Sequence, residues 1–319
     1  METLLIMLKN VIIFVLLAIP GYLLIRGKLL DQTSSGIFSK VLTYVGIPFM
    51  ILSSTIKLEF SAELTVSLIA FGVVCIAFTF LMFFASGWLV GWDSDKRRGG
   101  MMRFCTVFVN SGFIGIPLAS AVFGDDSPVM AYLIISNIIM NVMTFSLGPG
   151  VVSGDKKSVN ILKALFTPVF IAFLAGIVLN LTNACAYVPE IQKYSDHFKG
   201  MVTPLSMVVV GMKLADVPMK RLFTSGYMYY VSLLRLVFFP AIGIGIMFAL
   251  RLIPILGFGT DAILAFFMGF AMPTAGLASV FADQYEGDSD NAVIFTFGTT
   301  ILSIATIPVL YWILRMILG

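Results

Sequence analysis

The sequence predicts an all-α integral membrane protein with ten transmembrane helices, arranged as two inverted five-helix repeats. Three observations carry that expectation. First, 59% of the 319 residues are apolar and 12% are charged, with a mean hydropathy of +1.01; a soluble domain carries about twice that charged fraction. Second, apolar runs recur along the whole chain, and about ten spans of about 22 residues leave only short connections. Third, motifs of the first half return in the same order in the second. The composition argues against a soluble enzyme, a disulfide scaffold and a nucleic-acid binder. With 20 Lys and Arg against 17 Asp and Glu, a net charge of +3 is too small to draw a polyanion.

Runs bounded by charge, glycine or proline place the spans in order. The first, Leu4–Ile25, reads as a retained span and not a leader, because Arg26 and Lys28 follow its apolar core and no small-x-small cleavage site does. Ile37–Ile56 contains Pro48, and Leu64–Trp92 ends at the charged run Asp93-Ser-Asp-Lys-Arg-Arg98. Met101–Phe123 is interrupted by Gly112, Gly115 and Pro117. Val129–Val151 and Ile161–Thr182 follow, then the short Met201–Ala215, preceded by a polar loop holding His197. Gly226–Ile253 carries Arg235, Ala262–Tyr285 is interrupted by Pro273 and Gly276, and Ala292–Leu318 closes the set.

Orientation follows from the cations. With both termini outside, 13 Lys and Arg fall on the inner side, among them Lys96, Arg97, Arg98, Lys156 and Lys157, against six on the outer side and tails. The positive-inside bias therefore predicts external termini and a multi-pass protein of the inner (plasma) membrane.

The repeat runs the length of the chain. Pro48 is followed nine residues later by Lys57-Leu58, and Pro204 nine residues later by Lys213-Leu214. Asn110-Ser-Gly-Phe-Ile-Gly-Ile-Pro117 precedes Leu-Ala-Ser, Val-Phe and Gly-Asp elements; Met272-Pro-Thr-Ala-Gly276 precedes the same elements in the same order. Repeats at 1–154 and 155–319 with five spans each must insert upside down. Spans four and nine then become antiparallel counterparts, both broken near mid-membrane. Unwound backbone at that depth must line a polar cavity or be buried in protein, and half-helix N-termini favour an anion.

Candidate binding residues follow from the breaks. Asn110 can hydrogen-bond a carboxylate or cap freed backbone. Ser111, Gly112, Thr274 and Ala275 border the breaks and could present backbone N–H groups; Pro273, which has no N–H, is a further binding candidate at the second break, and Gly115, Pro117 and Gly276 make the breaks. Asn137 and Asn141 share one face of span five, for substrate contact or helix packing, and Thr299 and Thr300 match them in span ten. Asp283 and Arg235 are candidates for ion coupling; a structural pair between them, or snorkelling of Arg235, is the other reading. Lys57 and Lys213 read as interface anchors. Cys75, Cys105 and Cys185 lie far apart without Cys-x-x-Cys spacing, and His197 stands alone, so neither disulfide nor metal is expected. No nucleotide-binding loop of the Walker type occurs, and no cofactor is implied.

The runs at Asn110–Pro117, Pro204–Gly211 and Met272–Ala275 resemble the auxin efflux carrier family over nearly the whole chain. The resemblance is closest to short bacterial members described as permeases for malate, malonate and similar anions. Plant members carry a long hydrophilic loop between spans five and six; here it runs only from Ser153 to Lys163. The plant signature Asn-Pro-x-x-Tyr keeps its asparagine as Asn110, but Ser111 and Ile114 replace its proline and tyrosine. The resemblance implies a fold shared distantly with bile acid sodium symporters. It also implies a scaffold of spans one, two, six and seven, through which homodimers form, and an elevator-type transport unit from spans three to five and eight to ten. The expected function is secondary transport of a small organic anion such as malate, malonate or an auxin-like acid, not enzymatic catalysis. A membrane receptor binding a small anion is the alternative, disfavoured because a receptor would be expected to bring an output domain.

Overall fold

Every regular element among the described residues is a helix, and the single pairing of extended backbone is an antiparallel bridge between Val109 and Thr274. The computed structural model describes residues 16–31, 33–57, 62–155, 168–215 and 219–319, with residues 13 and 166. In chain order the helices are α1 Leu16–Arg26, α2 Ser34–Ile56, α3 Ala62–Leu89 and α4 Lys96–Val107. Then come a π-helical turn Ser111–Gly115 leading into α5 Ile116–Phe123, α6 Pro128–Ser153, α7 Pro168–Leu181 and α8 Glu190–Leu214. The last four are α9 Gly226–Arg251, α10 Thr260–Phe270, α11 Ala278–Gln284 and α12 Ser289–Leu318. Lys9, Lys156, Lys157, Lys163 and the start of the expected first span lie outside the described residues.

Helices α2, α3, α6, α9 and α12 are long and apolar enough to cross a membrane, and the apolar α1, α7 and α10 are shorter. Their starts are legible as caps: the side chains of Asp95, Ser127, Ser225 and Asp288 accept first-turn N–H groups of α4, α6, α9 and α12. Gly154 ends α6 with φ +71°, a conformation that a side chain disfavours. The expected fourth and ninth spans are each two helices, as their glycines and prolines require. The expected seventh span differs: α8 begins at Glu190 rather than Met201, and the polar stretch read as a loop is helical, with His197 exposed on it. Its polar side is anchored, since Gln192 Nε2 donates to Asp196 Oδ1 at 2.9 Å and Ser53 Oγ on α2 donates to the same oxygen.

Three π-helical turns, Leu42–Gly46, Ser111–Gly115 and Leu234–Phe238, each end two residues before a proline: Pro48, Pro117 and Pro240. The proline ring offers no N–H and collides with the carbonyl one turn back. One extra residue in the turn removes the collision and leaves a bulge. Pro149, Pro204 and Pro308 sit inside helices without such a turn.

Packing sorts the helices into two groups. α2 lies against α7 and α8. α1 crosses α8 at two glycines: a Cβ on Gly21 would strike the Val208 carbonyl, and one on Gly211 the Ala18 carbonyl. Such close backbone approach substitutes for the hydrophobic driving force that lipid lacks. In the second group α6 packs on α3, α4 and α10, and α9 packs on α10 and α12. Phe71, Phe78, Phe266 and Phe270 interlock there, with ring centroids 4.5 to 6.2 Å apart. The groups meet where α6 touches α2 and α7, and where α8 touches the turn Ser111–Gly115. Outward, α3 exposes Ile69 (65%), Phe84 (68%) and Trp88 (83%), a face suited to lipid.

Candidate functional site

Two interrupted helices cross at the centre of the second group. α4 stops at Val107 because Phe108 turns extended, with φ −92° and ψ 126°. α10 stops at Phe270, and residues 271–277 run without helix to α11. The segments pair antiparallel: the Asn110 N–H donates to Pro273 O at 2.8 Å and the Ala275 N–H to Phe108 O at 3.0 Å. Backbone groups freed by the breaks therefore satisfy each other, as burial at membrane depth demands. Gly115 permits the crossing, because a Cβ there would sit 2.7 Å from the Met268 carbonyl of α10. At one end, Arg97 Nε of α4 donates to Glu286 O just past α11 at 2.8 Å, so the two broken helices run in opposite directions.

The first interruption is polar and bordered by small cavities. Asn110, Ser111 and Asn137 are 4%, 1% and 1% exposed. Asn137 Nδ2 donates to Ser111 Oγ at 2.8 Å, and Asn141 Nδ2 donates to the Asn137 backbone oxygen at 2.8 Å and to its Oδ1 at 3.2 Å. Gly112 leaves room for this amide, since a Cβ there would lie 3.0 Å from Asn137 Nδ2. Intrahelical bonding begins with Ile114 and Gly115, whose N–H groups share Asn110 O at 3.3 Å. Amides of residues 111–113 precede it at a helix N-terminus. A cavity of about 40 Å³ is bounded by Asn110, Gly112, Asn137 and Asn141, by Ala275 and Gly276, and by Thr43 and Ile47 of α2 and Val169 of α7. A second of about 30 Å³ lies across the crossing, bounded by Asn110, Gly276, Lys213 of α8, and Thr296 and Thr300 of α12. Asn110 and Gly276 line both.

The second interruption is committed to the fold. Thr274 is fully buried; its hydroxyl donates to Cys105 O at 2.7 Å and its N–H to Thr299 Oγ1 at 3.2 Å. The expectation of a free N–H at Thr274 is therefore corrected: Thr299, one helix away, satisfies it. Pro273 gives its carbonyl to Asn110, and Ala275 gives its N–H to Phe108. Gly276 O accepts the Lys213 ammonium at 3.0 Å, which also reaches Ser279 Oγ at 2.9 Å. Lys213 thus points into the crossing and does not anchor at a lipid interface; its four-carbon stem covers the distance from α8. Lys57, which follows Pro48 at the same spacing as Lys213 follows Pro204, instead lies 3.6 Å from Asp196 Oδ2.

Arg235 is buried to 0% exposure, so it does not snorkel. Nε donates to Met272 O at 3.1 Å, Nη1 to Thr106 O at 3.0 Å and Val107 O at 3.5 Å, and Nη2 to Phe270 O. Among the described residues no carboxylate pairs with it; its oxygen partners are the last carbonyls of α4 and those of residues 270 and 272. The Asp283 side chain lies outside the described residues. Sequence reasoning missed this clasp because hydropathy marks a buried arginine without indicating its acceptors. Among the described residues no group of three or more His, Cys, Asp and Glu could hold a metal ion.

Long apolar helices, with the interrupted pairs α4–α5 and α10–α11 crossing through irregular backbone buried in protein, define a multi-pass membrane protein. The chain belongs to the membrane transport protein family, the group that includes the auxin efflux carriers: the family model so described matches residues 5–160 and 155–311. It is similar to an uncharacterized transporter of Methanothermobacter thermautotrophicus, 27% identical over 303 residues, covering 94% of this chain and 96% of that protein. An uncharacterized transporter of Methanocaldococcus jannaschii is 24% identical over 310 residues, covering 95% and 97%. The resemblance read from the motifs at Asn110, Pro204 and Met272 is borne out at the level of the family.

Proposed function

We propose that this transporter is a secondary carrier for small organic anions, binding a substrate carboxylate at the first interruption through Asn110, the Asn137–Asn141 amides and the N-terminal amides of residues 111–113. The observation that carries the proposal is the pair of cavities flanking Asn110, walled jointly by both helix groups. At about 40 and 30 Å³ they hold water-sized contents, whereas a small-molecule site needs roughly 300 Å³ or more. A substrate enters only when the groups separate. Sliding of α3–α6 and α9–α12 against α1, α2, α7 and α8 opens one cavity or the other, which is alternating access of the elevator kind.

This reading takes the chain as ten spans in two inverted repeats, supported by the antiparallel crossing and the repeated motifs. Purified protein in liposomes should take up labelled malonate, malate or indole-3-acetate, with saturation and counterflow. Failure of every mono- and dicarboxylate both to enter and to compete would remove organic acids as the substrate class. A cross-link between the Pro48 region of α2 and the Gly112 region should stop that uptake. Undiminished flux with the link complete would refute the sliding mechanism.

A further inference from the structure

We infer that the Arg235 guanidinium is a resident cation that occupies the carbonyl cage of the crossing, so that transport proceeds without an inorganic cation bound there. The inference deepens the carrier reading and rests on it for the word transport, but its test does not.

Consider what surrounds the guanidinium. α4 and α10 both end at the crossing, and the C-terminal end of a helix is the negative end of its dipole. Four carbonyls, those of Thr106, Val107, Phe270 and Met272, converge on one point of the fully buried interior. In carriers built on discontinuous helices, such ends and unwound carbonyls are where a coupling sodium ion or proton is held. Without a positive charge among them the oxygens would repel each other and stay unsatisfied in an apolar setting. Here a guanidinium, with five N–H donors in a planar fork, fills the place from the π-helical turn Leu234–Phe238 of α9. Nη1 also lies 3.8 Å from Met82 Sδ of α3.

Position matters as much as charge. Met272 O, held by Nε, belongs to the residue before Pro273, whose carbonyl takes the Asn110 N–H. The arginine therefore sets both half-helices and, one peptide further, the residue proposed to meet the substrate. Being covalently attached, it leaves no room in the cage for an ion whose binding could be linked to transport, and it contributes a permanent positive potential beside an anion site.

The test reads stability of the purified full chain, which needs no identified substrate. Melting temperatures of the native protein in sodium, lithium and N-methyl-D-glucamine chloride at equal ionic strength should coincide, because a ligand stabilises a protein only where it binds the folded state. A saturable rise with sodium or lithium in the native protein would overturn the inference. Arg235→Lys keeps a charge in the cage, and Arg235→Met keeps bulk without charge. The lysine variant should give more monodisperse protein with the higher melting temperature. A methionine variant equal to or better than lysine would show that the place needs only volume, which also overturns it. These outcomes are independent of organic-acid uptake: a sodium-stabilised native protein would sink the resident cation and leave the Asn110 site standing, whereas loss of the carboxylate reading would leave these measurements unchanged.

Discussion

The two interruptions pair with each other at the crossing, yet they divide the work unequally. At the first, only residues 108–110 leave the helix, and the polar side chains around them border cavities shared with α2, α7, α8 and α12. At the second, residues 271–277 are irregular, and the polar groups of Thr274 are bonded within the protein. A helix-paired residue fastens each: Asn137 of α6 bonds Ser111, and Thr299 of α12 accepts from the Thr274 amide. The difference teaches that the second break is spent on holding the crossing, which leaves the first as the place where the proposed carboxylate site belongs. An amide carries both donor and acceptor capacity beyond a single bond, whereas a threonine with both polar groups committed has little left.

Substitutions at the two breaks should separate stability from affinity. The largest effect is expected at Gly115→Val, where a side chain must displace the Met268 backbone, already 2.7 Å from a Cβ. Overpacking of this kind costs about 3 kcal/mol, and little folded protein should be recovered by size exclusion. Native yield and melting behaviour would show that the crossing is looser than described. Next, Thr274→Val keeps shape and strands the buried Cys105 carbonyl, at a cost of about 1–3 kcal/mol. Melting temperature should fall while carboxylate affinity in the folded fraction stays constant; a weakened affinity would place Thr274 in the binding site after all.

Smaller effects should follow further out. Asn141→Ala removes a half-buried amide that orients Asn137 and lines the larger cavity. Affinity should drop by roughly threefold to tenfold, the equivalent of about 0.5–1.5 kcal/mol, with little change in melting; unchanged affinity would confine the amide to packing. Lys199→Ala breaks the 3.2 Å contact of α8 with Asp125, between α5 and α6. Burial alone would raise the Asp125 carboxyl, but Ser120 and Lys199 hold it below the ordinary value. Stabilisation from it is present above the ordinary carboxylate pKa of roughly 4 and is lost as pH falls through the lower folded value. An exposed pair of this kind contributes less than about 1 kcal/mol. The variant should therefore melt nearly as the native protein does at neutral pH and lose less stability in mild acid; an equal acid loss would show the contact to be idle.

Much of this comparison is legible in the sequence, for definite reasons. Gly112, Gly115, Pro117, Pro273 and Gly276 announce the breaks because proline and glycine act on their own backbone, within one turn. The Asn137–Asn141 face is likewise local, fixed by helical spacing. Partners distant in the chain are a different matter. Nothing local says that Lys213 will reach Gly276, that Arg235 will gather carbonyls from α4 and residues 270–272, or that Thr299 will take the Thr274 amide. Each depends on how helices pack, not on what lies within a turn. The helical extension of α8 back to Glu190 was hidden for a related reason: its polar residues bond to Ser53 on another helix, where hydropathy sees only a break in the apolar run.

The most direct measurement of the central claim compares Asn110→Ala with the native protein in one preparation, by melting temperature and by titration with the organic acid that the uptake screen selects. A hydrogen bond to a charged group is worth about 1.5–3 kcal/mol, so affinity should fall roughly 10- to 150-fold while melting stays close to native. If Asn110 is instead a cap for freed backbone, the pattern reverses. Melting would then drop and the folded protein would bind with native affinity, and the carboxylate site would have to be sought elsewhere than the first interruption.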